Sequence, residues 1–181
     1  MSTPLRATRP SVVWFKRDLR VFDHVPLAAA AERGPVIPLY VVEPELWAQT
    51  DASHRQFVFA RACAAELSEA LAARGVPLAV RMGSVVDVLE QLHRDYQFAD
   101  LWSHEETGNA WTFARDRAVA AWCRAHGVTW HEAAQTGVVR RLKSRDGWAK
   151  RWLNSPRRPP AMWTSNPSKT ARPASSTSRP R

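Results

Sequence analysis

Residues 11–42 read SVVWFKRDLRVFDHVPLAAAAERGPVIPLYVV, and the order of residue types along them decides the fold. Ser11–Phe15 joins two β-branched valines to two aromatic residues, the composition of a strand. Pro26 suits the first turn of a helix, where its missing N–H costs nothing. Gly34 suits the stop, so a helix is expected over Pro26–Arg33. Val36–Val42 is apolar at nearly every position rather than at alternate ones, as in a strand covered on both faces. Pro38 inside that run is a local conflict, best tolerated at a sheet edge or an early strand position. Strand, helix and second buried strand make a βαβ unit, and its right-handed crossover lays the two strands parallel.

The same alternation continues downstream. Phe57, Ala60, Ala64, Leu67 and Leu71 recur at spacings of three and four, the face of a helix, with Gly75 as its stop and Pro77 just beyond. Pro77–Met82 is a third expected strand. Ser84 with Asp87 resembles a capping box for a helix with Val85, Val88, Leu89 and Leu92 as its stripe. Ala99–Ser103 is a fourth strand. Asn109 is a good N-cap for a helix running to about His126 and ended by Gly127, and Val128–His131 is a fifth strand. The expected fold is therefore α/β: an open five-stranded parallel sheet with helices on both faces, Rossmann-like, over residues 11–142. Such sheets bind ligands beyond the carboxyl ends of their strands, which singles out Lys16–His24, Glu43–Ser53 and Ser103–Asn109.

Charge sets limits on partners. The 181 residues carry a formal +9, which by itself suggests nucleic acid. Beyond Trp152, however, lie six basic residues (Arg157, Arg158, Lys169, Arg172, Arg179 and Arg181) and no acid, so residues 1–152 hold 20 basic against 17 acidic residues, or +3. The basic character belongs to the tail, and the body makes no electrostatic case for nucleic acid. Six of the 13 prolines also fall there, among Ser and Arg and with few core-forming residues. Residues 153–181 are accordingly expected to be a disordered C-terminal tail, residues 1–10 a flexible N-terminus, and 143–152 the start of an interdomain linker. A well-patterned body followed by an aperiodic Pro/Ser/Arg-rich stretch is what out-of-frame translation of a GC-rich gene would produce. Two cysteines without a C-x-x-C motif, no apolar signal segment and no membrane-length apolar run point to a cytoplasmic protein with no membrane partner.

Several chemistries are disfavoured by spacing. The glycines at 34, 75, 83, 108, 127, 137 and 147 build neither G-x-G-x-x-G nor a P-loop. His104-Glu105-Glu106 lacks the second histidine of a zinc helix, so no metal site is expected. Cys63 lies near its helix stripe and reads as a small core residue; Trp14, Trp102, Trp122 and Trp130 read as core too.

Two longer stretches carry a family resemblance. Trp14-Phe15-Lys16-Arg17-Asp18-Leu19-Arg20, then Asp23 and a Pro/Ala/Leu helix start, resembles the opening signature of the DNA photolyase/cryptochrome family. His24 stands where Asn is more usual. His104-Glu105-Glu106-Thr107-Gly108-Asn109, Trp111-Thr112 and Arg115-Asp116 resemble the loop and helix after strand four. Trp130-His131-Glu132, Gln135–Leu142 and Arg145-Asp146-Gly147-Trp148-Ala149 continue the match in family order. The resemblance implies the N-terminal antenna domain of that family, which holds a folate, deazaflavin or flavin chromophore and passes excitation to FAD. The FAD sits in a separate helical domain that also makes most contacts with damaged DNA and carries the repair of pyrimidine dimers, a carbon–carbon lyase reaction. No catalytic residue is expected in this chain. The loop residues Arg17, Asp18, Arg20 and Asp23 would be structural, ordered through Arg–carboxylate forks. Glu105, Glu106, Asn109 and Trp111 are the candidate antenna contacts, with the Trp111 indole offering a stacking surface in place of the Asn-Glu pair of some folate-binding members. The alternatives are a free-standing, non-catalytic chromophore- or nucleotide-binding module and a basic-tailed nucleic-acid binder.

Overall fold

The computed structural model describes residues 9–134, together with 144 and 146–148. The expectations for residues 1–8, for most of 135–152 and for the tail lie outside the described residues. Ten elements alternate: β1 (Ser11–Phe15), α1 (Val25–Arg33), β2 (Val36–Val42), α2 (Pro44–Trp47), α3 (His54–Ala72), β3 (Ala79–Met82), α4 (Val85–Tyr96), β4 (Asp100–His104), α5 (Ala110–His126) and β5 (Thr129–Ala133). The five strands form one sheet in the order β3-β2-β1-β4-β5, every pair parallel. This is the expected α/β architecture. The order in which the strands are laid down reverses between β1 and β4, while their direction stays the same.

Strand β1 shows how the layers form. Successive side chains point to opposite faces. Val12 and Trp14 join a core with Val85, Val88, Leu89 and Leu92 of α4 and with Val119, Trp122 and Cys123 of α5. Val13 and Phe15 join a second core with Leu27 and Ala30 of α1 and Leu67 and Leu71 of α3. The sheet is thus covered on both faces, which is why β2 is apolar almost throughout. Pro38 is accommodated because β3 pairs with β2 only from Leu39 onward; opposite Val13, Pro38 has a strand neighbour on one side alone.

Local expectations meet three corrections. Helix α4 is capped at Ser84 without a side-chain hydrogen bond, so the Ser84/Asp87 box is not formed. The box that does form is Ser53/Gln56 at the start of α3, where each side chain satisfies the other residue's backbone N–H. On α3 only Ala64, Leu67 and Leu71 are buried, since the helix overhangs the sheet and leaves Phe57, Ala60 and Cys63 half-buried beside a crevice. Trp102 is likewise only half-buried, stacked on His131 at 3.9 Å between ring centres with the Arg33 guanidinium over it.

Candidate functional site: a crevice at the carboxyl ends of the strands

The loop after β1 folds around Asp18. Its Oδ1 accepts from the Lys16 backbone N–H at 3.0 Å. Its Oδ2 lies 2.5 Å from His104 Nδ1, at the end of β4, and 2.7 Å from His24 Nε2, at the start of α1. All three side chains are buried. Burial works to raise the Asp18 pKa, but hydrogen bonds from His104 and His24 outweigh it and hold the carboxyl well below the usual carboxylate range. His24 Nδ1 caps α1 by accepting from the Leu27 N–H at 3.1 Å. That nitrogen carries no proton, so the proton of the neutral ring sits on Nε2, facing Asp18. The three groups lie close enough to suggest a metal site among the described residues. The tautomer argues otherwise: a metal-bound histidine donates through its other nitrogen, whereas here that nitrogen accepts. The cluster ties β1, α1 and β4 together through the His104–Asp18 hydrogen bond and the close His24–Asp18 contact.

The remaining loop residues are placed differently from the forks expected of them. Arg20 donates to the backbone carbonyls of Phe22 and Asp23, both at 3.1 Å, rather than to a carboxylate. Asp23 takes a left-handed φ of 49° that turns the chain into α1. Arg17 meets a carboxylate, reaching across to Glu106 at 2.8 Å.

Arg115 of α5 organises the second buried cluster. It bonds Glu43 at the end of β2 at 2.9 Å, Glu106 in the loop after β4, and its neighbour Asp116 at 2.9 Å. Burial opposes its charge, but Glu106, Glu43 and Asp116 together hold its pKa above the ordinary arginine value. Burial raises the Glu43 pKa, an effect only partly offset by Arg115. Lys16 pairs with Asp116 at 3.1 Å, and burial still pushes its pKa down. Lys16 Nζ lies 4.4 Å from the Trp14 ring centre and 5.1 Å from that of Trp130, while the Arg115 guanidinium lies 4.8 Å from Trp14 and 5.6 Å from Trp111. Cation and indole alternate along Trp130, Lys16, Trp14, Arg115 and Trp111, a desolvated arrangement in which each contact is worth on the order of 1 kcal/mol.

Above these clusters opens a crevice of about 620 Å³, a size suited to a small-molecule ligand. Its walls come from the loop after β1, from the segment carrying α2, and from α3. Leu46, Trp47, Phe59, Ala60 and Cys63 give it an apolar side; Glu43, Glu106, Asn109 and Arg115 give it a polar floor. Trp47 packs edge-on against Phe57 with ring centres 5.2 Å apart. Of the four candidate antenna contacts, Glu106 and Asn109 line this crevice, and both are already engaged. Glu106 holds Arg115 and Arg17; Asn109 caps α5 through Thr112 N–H and donates to both Asp51 oxygens at 2.9 and 3.0 Å. Trp111 stands half-buried beside the crevice, its Nε1–H 3.4 Å from Glu45. Glu105 is not among the residues that line the crevice, and its backbone N–H is bonded to the Ala133 carbonyl.

Sequence reasoning missed Trp47, Glu43 and His24 as site residues. Glu43 and Trp47 stood inside a segment marked as ligand-facing, but nothing in their spacing separates them from its other members. His24 reads only as a replacement for the more usual Asn, and its approach to Asp18 leaves no trace in the spacing.

Comparison with known proteins agrees with this architecture. The family model for DNA photolyase matches residues 11–147. A chloroplastic/mitochondrial cryptochrome DASH of Solanum lycopersicum is 30% identical over 106 residues, 54% of this chain and 18% of its own length. The deoxyribodipyrimidine photo-lyase of Salmonella typhimurium is 42% identical over 69 residues, 37% of this chain and 15% of its own. The chain spans less than a fifth of the length of either relative. Among solved structures, a bacterial class III photolyase from Agrobacterium tumefaciens superposes with a TM-score of 0.72 at 24% identity, over 92% of this chain and 37% of that one. The cryptochrome of Synechocystis gives 0.63 at 23% identity, over 70% and 27%. These likenesses are of fold. No helix among the described residues is long and apolar enough to cross a membrane. With the family model running from the first residue of β1 past the end of β5, the chain belongs to the DNA photolyase family.

Proposed function

We propose that this domain is the antenna-binding part of a photolyase- or cryptochrome-like photoreceptor, that it holds a planar chromophore in the crevice, and that it has no repair activity alone. One observation carries the reading: a cavity of about 620 Å³, apolar on one side and polar on its floor, at the carboxyl ends of β1 and β2. Leu46, Trp47 and Phe59 offer surfaces for a flat heteroaromatic ring. The polar floor is internally neutralised, so it can orient ring oxygens and nitrogens without demanding a charged ligand. A folate, a deazaflavin and a flavin all have this shape. The ion clusters below are engaged in holding the loops, which suits a domain that binds a ligand on a fixed frame. The flavin that drives chemistry, and contact with damaged DNA, would come through a helical domain from outside these 181 residues, joined in cis or in trans, at a cytoplasmic location.

Titration of the purified chain with riboflavin and with a reduced folate, followed by indole fluorescence, tests this. Saturable quenching that Trp47→Ala weakens about tenfold or more is expected, the loss of one stacked aromatic. Absence of saturable binding by either class would refute the antenna reading and leave the non-catalytic nucleotide-binding alternative to be tested with mononucleotides.

A further inference from the structure

We propose that the segment between Glu43 and Ser53, carrying α2, is a gating strap that closes the crevice by latching onto the start of α5 and opens by parting from it. The inference rests on the crevice being the ligand site proposed above. Both ends of the segment are fixed. Glu43 is buried and bonded to Arg115, and Ser53 is held in the capping box of α3. Between them, no residue from 44 to 53 is buried, although Leu46, Trp47, Asp51 and Ala52 form one wall of the cavity. A wall that buries no side chain gains little from the core, and elements of that kind open at low free-energy cost.

What holds the strap shut is therefore its latch. Asn109 Nδ2 donates to both oxygens of Asp51, and the Trp111 indole N–H reaches Glu45 at 3.4 Å. The Trp47–Phe57 edge contact adds an apolar touch near the hinge at α3. Both latch contacts are exposed, so water competes for them and the closed state is only modestly favoured. They also join the strap to one element alone, the first turn of α5. Parting the strap from that turn would open the crevice along the side facing α5 while leaving the sheet, Glu43 and Arg115 in place. Motions of this kind set the exchange rate of a bound ligand rather than its affinity.

Cys63 provides an internal reporter. It lies half-buried in the lining of the cavity, whereas Cys123 is buried in a core away from it with its thiol pushed up to about 11 by burial. In the full chain, Asp51→Ala removes the main latch without touching the cap that Asn109 gives α5. Alkylation by iodoacetamide, mapped by peptide mass spectrometry, is expected to run about fivefold faster at Cys63 in the variant, from the loss of the bonds to Asp51. Cys123 should be unchanged. In parallel, riboflavin should associate and dissociate faster in the variant. Equal Cys63 rates in the two proteins would overturn the strap, and so would a parallel rise at Cys63 and Cys123, which would mark loosening of the whole domain. Faster Cys63 labelling in a protein that binds no riboflavin or folate would support the strap and sink the antenna reading instead.

Discussion

At His24 the proton can sit on only one ring nitrogen, because the other accepts the Leu27 N–H that starts α1. Protonating the ring ends that cap, and burial holds its pKa below the ordinary 6.5, despite the neighbouring Asp18 carboxylate. The sign of the pH effect follows. Between the ordinary and the lowered value, the unfolded chain binds a proton that the folded one refuses, so stability is lost as pH falls from about 6.5. Glu43, whose pKa burial raises, works the other way, taking up a proton more readily when folded. Asp18, whose pKa is held down, contributes in full above the ordinary value of 3.8 and loses that stability progressively as pH falls below it. His24→Asn keeps an acceptor for Leu27 but cannot titrate. Urea-unfolding midpoints measured at pH 7 and pH 5.5 should fall less in that variant than in the parent chain; an identical fall would show that His24 does not change charge over this range. None of this was legible in the sequence, where His24 reads as a tolerated replacement for Asn. Its meaning depends on His104, 80 residues away along the chain, arriving at the same carboxylate.

The elements themselves were far more legible than their ends. β2 was located residue for residue because seven apolar positions with no alternation admit few other readings. β3, β4 and β5 each begin one or two residues later than expected, since backbone pairing with the neighbouring strand, not composition, sets where a ladder starts. Capping is where the sequence misled most clearly. Both Ser53-x-x-Gln56 and Ser84-x-x-Asp87 have an acceptor three residues after a serine, yet only the first forms the reciprocal pair. The Gln56 side chain is one methylene longer and reaches back to the Ser53 N–H at 2.8 Å. Ser53→Ala should therefore cost about 1 kcal/mol of folding stability, read as a shift in the urea midpoint. Ser84→Ala should stay within about 0.5 kcal/mol. Equal costs at the two sites would show that the difference in bonding carries no energy.

For the molecule as a whole, the parallel sheet followed from the repeated strand–helix alternation, but the β3-β2-β1-β4-β5 order could not be read from composition alone. That order is what brings the loops after β1, β2 and β4 to one rim. Four residues from three separate stretches, Arg17, Glu43, Glu106 and Arg115, then share a single ion network. The overall charge must be weighed at this scale as well. The two buried cores close between Val12 and Val128, and the ion clusters beside the crevice pair their cations with carboxylates, so the body presents little unbalanced positive charge. The formal +9 falls to +3 when the six basic residues beyond Leu153 are set aside. Any affinity for nucleic acid that the 181-residue chain shows should then be electrostatic and tail-borne. For duplex DNA, each phosphate neutralised adds about 0.9 to the slope of log K against log salt. The slope of the full chain should accordingly exceed that of a chain ending at Trp152 by up to about 5, with weak binding of damaged and undamaged duplex alike. Fluorescence anisotropy across a salt series separates the cases. A chain ending at Trp152 that kept its affinity, or that preferred the damaged duplex, would place a DNA-reading surface on the α/β body, which its paired charges argue against.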